Sequence, residues 1–251
     1  MISLAHIIRH PIKSVGYEEI ERAPLEKGRA LPFDRHWAIS HTAAKFAGNP
    51  NGQPDGWASK MNFLRGVTGH ELMAIRAQMN GDHVTLTHPR AGKITVNPNT
   101  DADALIAWIN TLWPDDKPAP ARVISLPNQA LGDMAEPFFS LISTASNTEL
   151  SARMGVDLSI HRWRANLWID GLKPFEEFDL IGKRLRIGTA IFEVNQRITR
   201  CKATTVNPAT GQSDADTLKA LRDGWDHQDF GVYATVVQSG DIARGDTLEI
   251  L

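Results

Sequence analysis

Short β-rich runs separated by turn residues dominate this chain, and they constrain its fold more than any other feature. Residues 6–9, 19–23, 35–40, 71–79 and 83–87 read as strands. Between the last two, Asn80-Gly81-Asp82 predicts a tight hairpin, since an Asn-Gly pair tolerates the positive φ that such a turn requires. Further strands are predicted over 122–126, 138–143, 166–170, 183–187, 190–196, 232–238 and 247–251. Helices are few. Residues 103–113 place Leu105, Trp108, Ile109 and Leu112 at helical spacing. Ser146-Asn147-Thr148-Glu149 has the form of a capping box opening a short helix that Gly155 closes. Residues 214–222 carry Leu218 and Leu221 on one face. The expected class is mainly β with peripheral helices (α+β), built as one or two small barrels.

Two stretches break this pattern. Residues 41–69 hold Asn49-Pro50-Asn51-Gly52 and Gln53-Pro54-Asp55-Gly56, a long turn-rich loop that reads as a lid, a docking rim or a surface excursion. Residues 113–120, with Pro114, Pro118 and Pro120, are the best linker, dividing the chain into 1–117 and 118–251.

Composition removes several function classes. With 251 residues, 42% hydrophobic, and 27 Lys+Arg against 29 Asp+Glu, the chain has a core-forming composition and no global attraction to nucleic acid or an anionic membrane. No apolar run approaches a membrane span. The start, Met1 to Arg9, alternates like a strand and lacks the apolar core of a signal peptide, so a cytoplasmic location is expected. The single cysteine excludes an internal disulfide and a cysteine-based zinc site.

That cysteine, Cys201, lies between Arg200 and Lys202 just ahead of a Pro/Gly turn. Cations favour a thiolate, which is both a nucleophile and a soft metal ligand. The plain alternative is a small buried hydrophobe. Phosphate-loop, dinucleotide, H-E-x-x-H and C-x-x-C motifs are all missing. The histidines, including His6/His10 and His36/His41, do not fall on common faces, which argues against a metal triad. A Cys/His hydrolase needs only closeness in space and stays open. Cations and hydroxyls do recur near strand ends: Lys13-Ser14, Arg35, Arg162, Arg164 before Asn166, and Thr199-Arg200 beside Cys201. Singly each reads as a solvated charge; together they would make a phosphate cradle beside a thiolate.

These segments carry a resemblance. Arg9-His10-Pro11-Ile12-Lys13-Ser14 is similar to Y-P-[IV]-K-S, and Asp34-Arg35-His36-Trp37 to D-R-x-[WF]. Residues 141–146 are similar to L-I-S-x-A-S, and 163–167 to F-R-P-N. Thr199-Arg200-Cys201 with 204–211 is similar to S-R-C-x-x-T-T-V-D-P-x-T-G. Phe230-Gly231-Val232-Tyr233 and 240–246 match F-G-x-Y and G-x-[IV]-x-x-G-D. Over nearly its whole length the chain resembles the MOSC family (molybdenum cofactor sulfurase C-terminal domain), and within it the amidoxime-reducing component and its bacterial relatives.

The resemblance implies a MOSC N-terminal β-barrel-like domain over 1–117 and a MOSC β-barrel over 118–251. It implies that Cys201 ligates the molybdenum of a molybdenum cofactor whose pterin (molybdopterin) dithiolene supplies two more sulfurs. Lys13, Ser14, Arg35, Arg164, Asn166, Thr199 and Arg200 would hold the pterin and its phosphate, with Tyr233 lining the site. The implied activity is an oxidoreductase reducing small N-hydroxylated compounds. Its electrons would come from a partner reductase or a haem or iron-sulfur protein, because one cysteine cannot hold a cluster. The alternative is a non-catalytic cofactor carrier or sulfur-transfer module using Cys201. Pyridoxal phosphate, also associated with the family, finds no lysine placed for a Schiff base. Departures from the family pattern are Ala165 for proline, Asn207 for aspartate, and a segment 134–138 without small hydroxyl donors.

Overall fold

The computed structural model describes residues 1–46 and 52–251; Asn49, Pro50 and Asn51 of the first turn motif in the long loop lie outside the described residues. The chain opens with strands β1 (Ser3–Arg9), β2 (Glu18–Ile20), β3 (Arg22–Leu25) and β4 (Trp37–His41). A three-stranded meander follows, β5 (Arg76–Asn80), β6 (His83–His88) and β7 (Gly92–Val96), then helix α1 (Ala102–Asn110) and β8 (Pro120–Ser125). Next come β9 (Phe139–Ser143), α2 (Thr144–Met154), β10 (Leu167–Asp170), β11 (Arg184–Ile187) and β12 (Ala190–Thr199). Helix α3 (Thr217–Trp225) and strands β13 (Asp229–Gln238), β14 (Gly240–Ala243) and β15 (Leu248–Ile250) complete the chain. The fold is mainly β with peripheral helices, as the strand pattern implied.

Eight strands form one sheet in the order β15-β11-β12-β13-β9-β10-β1-β2, antiparallel except for the β9–β10 pair. The sheet closes on itself. Leu248 N donates to Ile2 O at 2.9 Å, Leu4 N to Asp246 O at 2.9 Å and Gly245 N to Leu4 O at 2.8 Å. Inside the barrel pack Leu4, Ile7, Leu141, Leu167, Ile169, Val232 and Ala234, with Phe139 and Phe192 edge to face at 5.4 Å. Burial of this apolar interior is what drives the closure. A second core gathers Ile12, Trp37, Ile39, Leu72, Ile75, Leu86, Leu105 and Ile109 under the meander and α1. Sheets cross residues 117/118: β1 pairs with β10, and β4 with β8. Trp113, ahead of that point, is buried and its Nε1 donates to Pro118 O at 3.1 Å.

Some local expectations shift. Residues 71–79 begin as a 3₁₀ turn, His70–Ala74, and become strand only in β5; Leu72, Met73 and Ala74 are buried in succession, which an alternating strand does not allow. Ser146 opens no capping box. Helix α2 starts two residues earlier, and Ser146 Oγ lies 2.7 Å from Glu177 Oε2. Gly155 does close α2, in the left-handed conformation. Helix α3 starts at Thr217, capped by Asp216, whose carboxylate accepts from Lys219 N. The 35–40 strand starts only at Trp37, because Arg35 is left-handed. The hairpin turns where expected, with Asn80 opposite His83 and Gly81 at φ 58°.

Gly231 in β13 shows why F-G-x-Y carries a glycine. Its φ is 81°, and a Cβ there would stand 2.7 Å from Leu141 O and 2.6 Å from Ile142 Cγ1. Gly231→Ala should therefore destabilise the protein by about 2–4 kcal/mol, strain and overlap together, read as a lower midpoint in urea unfolding. An unchanged midpoint would mean that β13 moves freely against β9.

Candidate functional site

The barrel strands β1, β10, β12 and β13 end on one cleft of about 610 Å³. All nine residues singled out from the sequence line it: Lys13, Ser14, Arg35, Arg164, Asn166, Thr199, Arg200, Cys201 and Tyr233. Lys13 and Ser14 follow β1, Arg35 precedes β4, and Arg164 and Asn166 lead into β10. Thr199 ends β12, Arg200 and Cys201 follow it, and Tyr233 lies on β13 opposite Gln196. Segments remote in sequence meet here because their strands are neighbours in the closed sheet.

The backbone is strained at this place. Ser14 (φ 62°), Arg35 (φ 50°) and Arg164 (φ 49°) all adopt the left-handed conformation without being glycine. Each such residue costs on the order of 1–3 kcal/mol and survives only where its surroundings over-determine it. Arg35 N is held by His10 O at 2.7 Å, and Arg164 N by His161 O at 3.3 Å.

The cations divide into two kinds. Some are satisfied. Arg35 pairs with buried Asp34 and donates to Arg164 O at 3.0 Å. Asp34 also accepts from His10 N at 2.8 Å. Burial pushes the Asp34 carboxyl up, but Arg35 and the His10 contacts outweigh it and hold the group well below the usual range. Lys13, almost fully buried, reaches solvent-facing Asp133, which Lys60 also approaches at 3.6 Å. Burial lowers the Lys13 pKa, and Asp133 opposes that effect.

The others are left with a free donor. Arg164 Nη1 donates to Gly16 O at 3.1 Å; Arg200 donates through Nε to Phe230 O at 2.8 Å and through Nη1 to Trp163 O at 2.9 Å. The Nη2 atoms of both are buried and have no partner among the described residues. Burial, with the neighbouring Arg35 charge, brings Arg164 down to about 9; burial brings Arg200 down to about 10. Both therefore remain charged at neutral pH. Two buried guanidinium donors aimed at no protein acceptor fit an anionic ligand, because an unmade bond there costs more than a made one returns.

Cys201 is exposed, so it is not the small buried hydrophobe of the plain alternative. It opens the 3₁₀ turn Lys202–Thr205, and its carbonyl accepts from Thr204 N at 3.2 Å and Thr204 Oγ1 at 3.1 Å. Thr204 is fixed in turn by Thr217 of α3, Oγ1 to Oγ1 at 2.7 Å. The thiol therefore stands on a braced turn at the cleft wall. Tyr233 stacks on Phe138 at 4.8 Å and adds a flat aromatic wall. Among the described residues no group of three or more His, Cys, Asp and Glu is placed to hold a metal ion. A metal here would need other ligands besides Cys201.

Besides Arg35, both Asn166 and Thr199 are engaged in the scaffold. Asn166 accepts from Ser140 N at 3.2 Å and Ser140 Oγ at 3.1 Å, and donates to Ile8 O at 3.2 Å. Thr199 Oγ1 donates to Asp229 Oδ1 at 2.7 Å. Sequence reasoning missed Asp34, Asp133 and Glu177. Asp34 carries a signal, its place beside Arg35 in the D-R pair; Glu177 has none, since its burial against Ser146 is purely tertiary.

Glu177 is fully buried, and burial raises it to about 7 against the opposing Ser146 hydrogen bonds. An acid raised in the fold binds more protons folded than unfolded between its ordinary pKa and 7, so its contribution weakens as pH rises through that window. His10, lowered to about 3, and His161, lowered to about 4, act in the opposite sense. The informative quantity is the difference between wild type and Glu177→Gln. Raising pH from 5 to 7.5 should cost wild type about 2–3 kcal/mol more than the variant, measured by urea unfolding at each pH. Parallel profiles would mean that Glu177 titrates normally.

Comparison with known proteins places this site in context. Residues 129–249 match the family model of the MOSC domain. The chain is similar to molybdenum cofactor sulfurase of Drosophila grimshawi, 31% identical over 140 residues covering 53% of this chain and 17% of that protein. It is also similar to molybdenum cofactor sulfurase of Caenorhabditis elegans, 39% identical over 115 residues covering 44% and 16%. The match thus spans about a sixth of the length of these relatives. Among solved structures, the YUAD protein from Bacillus subtilis aligns over 100% of this chain and 96% of its own, at 12% identity and a TM-score of 0.47. YiiM from Geobacillus stearothermophilus aligns over 45% and 53%, at 20% identity and a TM-score of 0.35.

Proposed function

We propose that this chain, whose residues 129–249 match the family model of the MOSC domain, binds the molybdenum cofactor in its cleft, with Cys201 as the protein's ligand to the metal, and reduces small N-hydroxylated compounds. The observation that carries this reading is the pair of buried Nη2 atoms, without partners among the described residues, on Arg164 and Arg200, two residues that line the same cleft as an exposed thiol. An anion with a sulfur-seeking metal is the ligand that both features suit.

When bound, the cofactor would supply the centre at which an N-hydroxyl group takes two electrons and two protons, leaving an N–H group and water. The chain supplies binding and orientation. Arg164 and Arg200 neutralise the phosphate, and Arg35 and Asn166 hold the strand ends that aim them. Lys13 joins by exchanging Asp133 for the ligand. Tyr233, stacked on Phe138, lines the planar side of the cleft. Thr204 keeps the Cys201 turn in place. The two-part division at 117/118 belongs to this proposal: Lys13, Ser14 and Arg35 come from the first part and the remaining site residues from the second.

With no second cysteine and no nucleotide motif, electrons come from a partner reductase or a haem or iron-sulfur protein. We also place the protein in the cytoplasm; among the described residues no helix is long and apolar enough to cross a membrane. The exposure of Cys201 favours one second reading, a carrier or sulfur-transfer module that presents the thiol to an acceptor.

Protein made in a cofactor-competent host should contain about one molybdenum per chain. It should turn over N-hydroxylated substrates with reduced viologen and stay inactive with NADH or NADPH alone. Cys201→Ser should fold with an unchanged melting temperature and lose turnover, since a hydroxyl is a poor replacement for a soft ligand. Near-normal turnover would rule out ligation by Cys201, and transfer of sulfur or cofactor without steady-state reduction would establish the second reading. Arg164→Ala should lower cofactor occupancy by about tenfold or more, from the loss of roughly 1.5–3 kcal/mol of charged hydrogen bonding. Metal content of the purified variant checks this, and equal occupancy would return Arg164 to a merely structural cation.

A further inference from the structure

The cleft holds far more positive charge than the cradle accounts for. Nine Lys and Arg side chains line it against three Asp and Glu, in a chain whose formal net charge is -2. Several of the nine are already answered: Arg35 by Asp34, Lys13 and Lys60 by Asp133, and Arg162 by Asp214. Arg164 and Arg200 form the inner cradle. Three, Arg65, Lys202 and Arg222, make no side-chain hydrogen bond or ion pair among the described residues.

These three come from separate elements that meet at the Cys201 turn. Lys202 is in the turn itself. Arg222 is on α3, which is tied to the turn by the Thr204–Thr217 hydrogen bond. Arg65 belongs to the loop beside it; a Cβ on neighbouring Gly66 would stand 3.8 Å from the Ala203 Cβ. Asp223, the acid nearest Arg222 in sequence, is hydrogen-bonded by Lys219, which lowers its pKa most, and the Arg222 charge acts on it more weakly without a direct bond. Like charges lining one cleft repel one another, so such a group is stable where an anion visits or water screens it. Two guanidinium forks and one ammonium match an oxyanion such as phosphate or carboxylate.

We propose that Arg65, Lys202 and Arg222 form an outer anion subsite beside Cys201, selecting substrates that carry a phosphate or carboxylate group. The inference rests on the reading of the cleft as a reductase site. The inner cradle would take the cofactor's phosphate, and the outer group would take the substrate's. The reducible N–O group would then lie between them, next to the Cys201 wall.

The test compares an aryl amidoxime with its para-carboxylate, using viologen as electron source and the cofactor-loaded protein. The ratio of kcat/KM for the carboxylate over the neutral compound should fall at least tenfold in R65Q/R222Q and recover in part in R65K/R222K. A second readout needs no cofactor. Calorimetric titration of cofactor-free protein with inorganic phosphate should find two sites in wild type. One site should remain in R65Q/R222Q, and one, the outer, in R164Q/R200Q. An unchanged kcat/KM ratio, or a phosphate stoichiometry that R65Q/R222Q does not reduce, would overturn the subsite. So would a variant slowed only with a protein donor, which would make the group a landing place for an acidic partner. Protein without molybdenum would sink the reductase reading and leave the phosphate titration to decide the subsite.

Discussion

The side chain of Asn166 joins three strands at the end of the barrel where the cleft opens. Its amide takes Ser140 of β9 on one side and Ile8 of β1 on the other, while its own backbone leads into β10. Those groups are buried, so each hydrogen bond is obligatory: leaving one unmade would cost about 1–3 kcal/mol. From the strand ends that Asn166 fixes project Lys13, Ser14 and Arg164 on either side of it. The left-handed turns at Ser14, Arg35 and Arg164 are tolerable because this frame does not yield. The placement of the free guanidinium donors therefore follows from an amide that itself offers little to a ligand.

Charge is arranged in layers around that frame. Deepest lies the Asp34–Arg35 pair with His10, where every carboxylate contact is met within the protein. Above it are Arg164 and Arg200, anchored by backbone carbonyls that fix position without cancelling charge. Carbonyl anchoring leaves the positive field available to a ligand, whereas a carboxylate partner would quench it. Lys13 is the exception, and its partner Asp133 sits on a solvent-facing loop from which it can be displaced.

Much of this was legible in the sequence. The strand pattern gave the class, because period-two burial is written directly in Ala23 and Leu25 of β3 and in Leu185 and Ile187 of β11. The cations and Cys201 stood out because each occupies a short segment at a strand end, and all nine named residues do meet in one cleft. What stayed hidden depends on partners far away in the chain. Nothing local marks Ser146 as a companion of Glu177 rather than a helix cap. Nothing in residues 71–79 reveals that three successive side chains find burial, forcing a 3₁₀ turn where alternation suggested a strand. The division of cations into satisfied and free was equally invisible, since it turns on which carboxylates the fold brings near.

The seam that closes the barrel joins residues 2–4 to residues 245–248. Such a contact spans nearly the whole sequence and carries the largest loop-closure entropy in the molecule, so it belongs among the last to form. Strands β1 and β13, which frame the cleft, lie in the same sheet as that seam. The meander is built from neighbours in sequence, whereas the shape of the cleft depends on strands whose partners come from both ends of the chain. A ligand bound across the cleft would therefore add to the stability of the closed barrel as well as occupy it.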